Sequence, residues 1–156
     1  MTAWNERPRV EATLLNPALL AVLLAGAARD YDSSGAGIPW PLAFLVLPLV
    51  LHRPTRTALP RDTRTHLSTW IRREPVLRAG FPERAASMVP RTREGIRFGL
   101  RAGVLSIDGA NLIGHLTAEP SLGELRQLVR SARLIGRWLA KSDQASTVFA
   151  LLGVAP

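Results

Sequence analysis

The stretch that decides the fold runs from Arg53 to His115 and reads RPTRTALPRDTRTHLSTWIRREPVLRAGFPERAASMVPRTREGIRFGLRAGVLSIDGANLIGH. Its patterns predict, in order, a helix, a short helix, another helix and two short apolar runs around a turn. This is the order of elements in a winged helix-turn-helix. Residues 53 to 101 contain 12 Arg and 4 Asp or Glu, a net charge of +8 that equals the net charge of the whole 156-residue chain. We therefore predict a basic, winged-helix-like centre over residues 61 to 115.

Prolines divide the helical part of this stretch. Asp62 or Thr63 can cap a helix, and Pro75 prevents its continuation. Pro82 and Pro90 are each typical of the first position of a new helix. The pattern therefore predicts three separate helices before the apolar runs.

The third of these helices carries the sharpest functional pattern. Arg93, Arg97 and Arg101 recur every four residues along one face, with Arg91 close by, and Gly103 is a C-terminal stop. Such a row can neutralise nucleic-acid phosphates or contact an acidic protein. The same spacing is explained equally well by a helix face that contacts only solvent.

The apolar runs that follow are typical of a β-hairpin. Residues 104 to 108 alternate in polarity, and Asp108-Gly109 leads through Ala110 and Asn111 into a second short run. We predict one small hairpin in the position of a wing.

Two apolar runs precede the basic stretch. Asn16 can cap a helix with Pro17 at its first position, and residues 38 to 51 form a second run that contains three prolines. The second run is about two-thirds of the roughly 20 residues that cross a bilayer. We therefore expect core helices within residues 12 to 52, not a membrane hairpin, although a small membrane protein is one alternative.

The C-terminal part, residues 121 to 153, is predicted to be a helical pair. Ser121 to Glu124 form a capping box, and a last helix from Ala145 ends at Gly153. The first helix of the pair has an apolar stripe and a basic stripe, and the basic stripe is either a solvated face or a contact surface. The basic stripe consists of Arg126, Arg130, Arg133, Arg137 and Lys141.

The composition fits one mainly α-helical domain without an active site. Hydrophobic residues make up 47% of the chain and charged residues 21%, and there is no cysteine. The glycines form no phosphate loop, no Gly-x-Ser-x-Gly turn is present, and the three histidines lie in separate segments. We expect no catalysis, no cofactor and no metal, in a cytoplasmic protein without a secretory signal.

The ratio of 19 Arg to one Lys indicates an anionic partner, because Arg pairs bidentately with phosphate and carboxylate. A GC-rich genome explains the ratio as well, but it does not explain why the charge is clustered. The basic block therefore remains the main indication of a partner.

Several segments spread over nearly the whole chain carry a family resemblance. Collectively and in order, they resemble the middle component of three-component ABC-ATPase systems, the small third subunit of Lamassu-type bacterial anti-phage defence. The segments are Trp4-Asn5-Glu6-Arg7-Pro8, Leu14-Leu15-Asn16-Pro17-Ala18, Leu47 to His52, Thr63-Arg64-Thr65 with Leu67 and Trp70, Gly136 to Lys141, and Ala150 to Pro156.

The resemblance implies a non-catalytic adaptor that joins an SMC-like or Rad50-like ATPase subunit to an effector subunit, often a nuclease, in a complex that responds to foreign DNA. It leaves open whether the basic face meets DNA or an acidic subunit. The matching positions are candidates for fold or subunit contacts, and these are Trp4, Asn5, Arg7, Pro8, Arg137 and Trp138. The alternative interpretation is a free-standing winged-helix DNA-binding regulator that uses Arg91, Arg93, Arg97 and Arg101.

Overall fold

The computed structural model describes residues 15–121, 123–142 and 144–155. These residues form seven helices and a sheet of three short strands. The elements are α1 (Pro17–Tyr31), β1 (Ile38–Pro39), α2 (Trp40–Leu51), α3 (Arg53–Ala58), α4 (Leu67–Arg73), α5 (Pro75–Ala102), β2 (Leu105–Asp108), β3 (Asn111–Gly114), α6 (Gly123–Leu139) and α7 (Ala145–Leu152).

Helix α1 lies at the centre of the molecule. Its start is as predicted, because the Asn16 side chain accepts a hydrogen bond from the backbone N–H of Ala18 at 2.8 Å and Pro17 is the first helical residue. The helix is apolar on nearly all sides and packs against α2, α5, α6 and β3. A helix with this pattern is stable in water only when other elements surround it.

The strands complete a winged-helix-like arrangement. β2 and β3 form the predicted antiparallel hairpin, in which Asp108 pairs with Asn111. The two-residue strand β1, which the sequence did not predict, pairs antiparallel with β3 through Ile38 and Leu112. The sheet order is β1-β3-β2, so a segment from the apolar N-terminal region borders the hairpin.

The prediction that Pro82 and Pro90 begin separate helices was wrong, because α5 continues through both prolines. Each proline removes a backbone donor, at a cost of about 3 kcal/mol in a helix interior. Two side chains add hydrogen bonds to other carbonyls of this helix: Arg84 donates to the carbonyl of Leu77 at 3.0 Å, and Thr92 donates to that of Met88 at 3.0 Å. Packing of α5 on α1 and α2 stabilises the helix despite its prolines.

The predicted start of the preceding helix was also wrong. α4 begins at Leu67, and the Asp62 carboxylate instead accepts a hydrogen bond from the backbone N–H of Arg64 at 2.8 Å within a turn. An Asx turn competes with helix capping, which explains the difference. Residues 59 to 66 are therefore a loop between α3 and α4.

The other predicted helix ends are close to those observed. Gly103 caps the C-terminus of α5 and Gly153 caps that of α7, with φ angles of 75° and 72° in the left-handed region. α6 begins at Gly123, and Leu122 of the predicted capping box lies outside the described residues.

One continuous apolar core joins these elements. Buried side chains from α1, α2, α4, α5, α6, α7 and all three strands form a single cluster. Among the described residues, no helix is both long enough and apolar enough to span a lipid bilayer.

Candidate functional site

The predicted arginine row on α5 lies on the protein surface. Arg93, Arg97 and Arg101 are exposed, and the β2–β3 hairpin follows this helix directly. Arg91 is less exposed and forms an ion pair with Glu94, with the charged atoms 3.5 Å apart. The structure therefore places the row on the helix that precedes the wing.

The predicted arginine stripe on α6 divides into two parts. Arg130, Arg133 and Arg137 line a cleft of about 520 Å³, which we call the arginine cleft. Arg126 is exposed on the same helix but does not line the cleft. Lys141 lies beyond the end of α6 and is exposed.

The opposite wall of the arginine cleft comes from α3 and from the loop after it. This wall contains Arg56, Leu59, Pro60 and Arg61. Arg56 is held in place by a hydrogen bond from its Nη1 to the carbonyl oxygen of Val50 at 2.7 Å. Sequence reasoning missed Arg56 and Arg61 as site residues, because only the tertiary fold brings them to α6.

Two carboxylates neutralise part of the arginine cleft. Nε of Arg133 lies 3.0 Å from Oδ2 of Asp30, and the same guanidinium pairs with Glu119. Arg137 also pairs with Asp30. Burial lowers the pKa of Arg133, but the hydrogen bonds and negative charges of Asp30 and Glu119 outweigh it, so the pKa is raised above the ordinary arginine value and the group stays charged.

The net charge of the arginine cleft remains positive. Among the described residues, its five arginines outnumber the two carboxylates that pair with them, Glu119 and Asp30, which leaves a charge of +3. Within the described residues, Arg61 and Arg130 have no carboxylate within ion-pair distance. The guanidinium donors of these two exposed side chains are therefore available for a ligand.

A pair of tryptophans anchors the loop that carries Arg61. The indole N–H of Trp70 donates to the carbonyl of Ala58 at 2.7 Å, and that of Trp138 donates to the carbonyl of Thr65 at 2.7 Å. The two rings meet edge to face, with centroids 5.4 Å apart. Both ends of the 59–66 loop are therefore fixed to the core.

The structure also locates the described candidates that the resemblance names. The Trp138 side chain is 1% exposed and packs inside this chain. Arg137, one residue earlier, is exposed and lies in the arginine cleft. The other candidates, Trp4, Asn5, Arg7 and Pro8, lie outside the described residues.

A second cavity of about 570 Å³ lies between α2, α5 and α7. Its lining is mainly apolar and includes Trp40, Phe44 and Phe149, with Arg93 of the α5 row beside them. Trp40 is 36% exposed and contacts the edge of Phe44, with ring centroids 6.2 Å apart. Arg93 of the α5 row and the α6 arginines of the arginine cleft therefore border different cavities.

Two histidines, His52 and His115, are hydrogen-bonded to hydroxyl groups. Nδ1 of His52 lies 2.7 Å from Oγ1 of the buried Thr55 and caps α3, and Arg84 donates to the same hydroxyl at 3.4 Å. Burial lowers the pKa of His52, and the positive charge of Arg84 lowers it further. Nε2 of His115 lies 2.6 Å from Oγ of Ser106.

The fold and these surfaces define a small, mainly helical protein with a winged-helix-like arrangement, a basic cleft and an apolar groove. Among its described residues, no group of three or more His, Cys, Asp or Glu side chains is placed to hold a metal ion. Surfaces of this kind suit binding to other molecules.

Comparison with known families agrees with the resemblance seen in the sequence. A family model described as "ABC-three component (ABC-3C) system Middle Component 3" matches residues 4–156. The chain belongs to this family of middle components. No curated protein and no solved structure gave a significant match.

Proposed function

We propose that this middle component is a non-catalytic adaptor in a cytoplasmic anti-phage complex of the Lamassu type. It joins an SMC-like or Rad50-like ATPase subunit to an effector subunit, such as a nuclease, and the complex responds to foreign DNA. The observation that carries the proposal is the family match over residues 4–156. A middle component works with the other components of its system, so its principal partners are proteins.

The surface chemistry supports binding to other subunits. Trp40 is partly exposed beside an apolar groove, and Phe98 is 37% exposed on α5. Exposed tryptophan and phenylalanine are enriched at protein interfaces, where they supply much of the binding energy. An adaptor needs such anchors because it contacts more than one subunit.

The side-chain contacts support a non-catalytic role. His52 caps α3 and is hydrogen-bonded to the Thr55 hydroxyl, and His66 is exposed at the start of α4. A general base needs a histidine or carboxylate directed at a substrate site. The carboxylates of the arginine cleft, Asp30 and Glu119, are instead paired with arginines.

Co-purification tests the adaptor proposal. The tagged chain is expressed with its neighbouring genes, treated with nuclease and purified at moderate and at high salt. We expect stoichiometric recovery of a large coiled-coil ATPase that persists at high salt, because apolar contacts resist screening. Recovery of the chain alone, or ATP hydrolysis or DNA cleavage by the chain alone, would contradict the proposal.

A second candidate function, a free-standing DNA-binding regulator, is favoured by the exposed arginines of α5 next to the hairpin. It predicts that the isolated chain binds DNA with an affinity that falls steeply with salt, because phosphate neutralisation releases counterions. The Arg93→Glu, Arg101→Glu double variant should then lose most of that salt dependence. The matched control is Arg72→Glu with Arg73→Glu, which reverses two exposed charges on α4.

A further inference from the structure

We infer that the arginine cleft is an anion-binding site for a phosphate-bearing ligand. This site goes beyond the adaptor role, and its ligand can be bound with or without a partner subunit. The cleft lies between α3, the 59–66 loop and α6, and its residues come from separate parts of the chain. Residues that converge in this way are not explained by the repeat of a single helix face.

The first argument is electrostatic. Arg56 and Arg61 on one wall face a cleft that Arg130, Arg133 and Arg137 line on the other. Like charges in one cleft repel each other, and the two carboxylates offset the five arginines only in part, which leaves the net charge of +3. An anion in this volume would relieve the repulsion and would be bound by several guanidinium groups together.

The second argument is preorganisation. The backbone that carries Arg61 is anchored by the indole hydrogen bonds of Trp70 and Trp138, and Arg56 is anchored by its bond to Val50. Arg133 is anchored by its pair with Asp30. Groups fixed before a ligand arrives lose less conformational entropy on binding, so the cleft is built for a ligand.

The third argument distinguishes phosphate from an acidic peptide. A phosphate group has three acceptor oxygens and a charge of roughly −1.5 to −2, so it can accept hydrogen bonds from several arginines at once. The cleft volume of about 520 Å³ lies within the range of small-ligand pockets, roughly 300 to 1,000 Å³. Arg133 and Arg137 already have carboxylate partners, whereas Arg61 and Arg130 offer their donors to the same volume.

Free polyphosphate and a nucleic-acid backbone both present phosphate groups, so the two ligands are compared in one experiment. Isothermal titration calorimetry with the full chain uses inorganic tripolyphosphate in one arm and a short single-stranded DNA in the other. Tighter binding in one arm assigns the source of the phosphate, and the variants below test the site in both arms.

The test variant is Arg61→Ala combined with Arg130→Ala, which removes two exposed guanidinium groups that line the cleft. The matched control is Arg64→Ala combined with Arg126→Ala, which removes the same charge from the same loop and the same helix outside the cleft. The Arg64 side chain is 92% exposed. Both pairs should keep the thermal stability of the native chain, because these side chains are outside the core.

We expect the cleft variant to bind tripolyphosphate at least about tenfold more weakly, since each hydrogen bond to a charged group is worth about 1.5 kcal/mol or more. The control should change the affinity less than about twofold. Equal weakening in both pairs would show a general charge effect and overturn the proposal. No binding by the native chain, or tighter binding of a glutamate-rich peptide than of tripolyphosphate, would overturn it too.

Discussion

The close contact between α1 and α6 gives a stability prediction that can be worked through from the structure. Gly136 of α6 lies against the backbone of Ala27, where an added Cβ atom would be 2.1 Å from the carbonyl oxygen and 2.9 Å from the carbonyl carbon. Contacts under 3.0 Å are essentially never seen for a real Cβ atom. The substitution Gly136→Ala therefore forces α6 away from α1.

The size of the effect follows from what the methyl group meets. The nearest atoms belong to the backbone of a central helix, so no side chain can rotate to make room. Overpacking a core costs about 1 to 3 kcal/mol and occasionally more, and a backbone clash belongs at the upper end. The better helix propensity of alanine returns about 1 kcal/mol, which leaves a net loss of about 2 kcal/mol or more.

Thermal unfolding followed by far-UV circular dichroism measures this loss. For a chain of this length, we expect the melting temperature to fall by roughly 5 to 10 °C. The matched control is Gly123→Ala at the first position of the same helix, where an added Cβ meets nothing within 4 Å, and the melting temperature should change little. A Gly136→Ala variant as stable as the native chain would refute the close approach of α1 and α6.

Three further predictions concern the loop anchor, the partly buried His52 and the arginine cleft. Trp138→Phe keeps an aromatic ring but leaves the carbonyl of Thr65 without its donor, so denaturant unfolding should show a loss of about 1 to 3 kcal/mol, and an unchanged stability would contradict the anchor. Burial lowers the pKa of His52, so the folded state binds fewer protons than the unfolded chain, and stability should fall as the pH decreases below about 6.5, the ordinary histidine value. His52→Asn keeps a residue that can cap α3 but removes the titrating imidazole, so the melting temperature should depend less on pH in that range. If the pH dependence is unchanged in the variant, groups other than His52 cause it. Glu119→Gln removes a carboxylate that pairs with Arg133, so calorimetry should show tighter tripolyphosphate binding, and weaker binding would contradict the competition.

Helix caps and the hairpin turn could be predicted, because they depend on residues that are adjacent in the sequence. Asn16 caps α1, Gly103 ends α5 and Gly153 ends α7, because each depends on the backbone preferences of one or two residues. The hairpin at Asp108-Gly109 was predicted for the same reason, and its turn glycine has a φ of 56°.

Features set by tertiary contacts could not be predicted. Pro82 and Pro90 have the local chemistry of helix starts, but packing against α1 and α2 keeps α5 continuous through both. The strand Ile38–Pro39 is only two residues long and exists because β3 lies beside it. Neither a periodic pattern nor a turn residue marks such a strand.

The sequence pattern covers only one wall of the arginine cleft. The helical spacing of Arg130, Arg133 and Arg137 predicts that they share a face of α6, and all three line the cleft. The opposite wall with Arg61 depends on the bond between Trp138 and Thr65, which are 73 residues apart in the chain. A single sequence carries no local pattern that joins such distant residues.

Reconstitution tests the adaptor claim most directly. The ATPase and effector subunits of the same system are purified separately, mixed with and without this chain, and analysed by size-exclusion chromatography with light scattering. The adaptor account predicts that the ATPase and the effector elute together only when this chain is present, with the mass of a complex that contains all three. Co-elution of the ATPase and the effector to the same extent without the chain would contradict it.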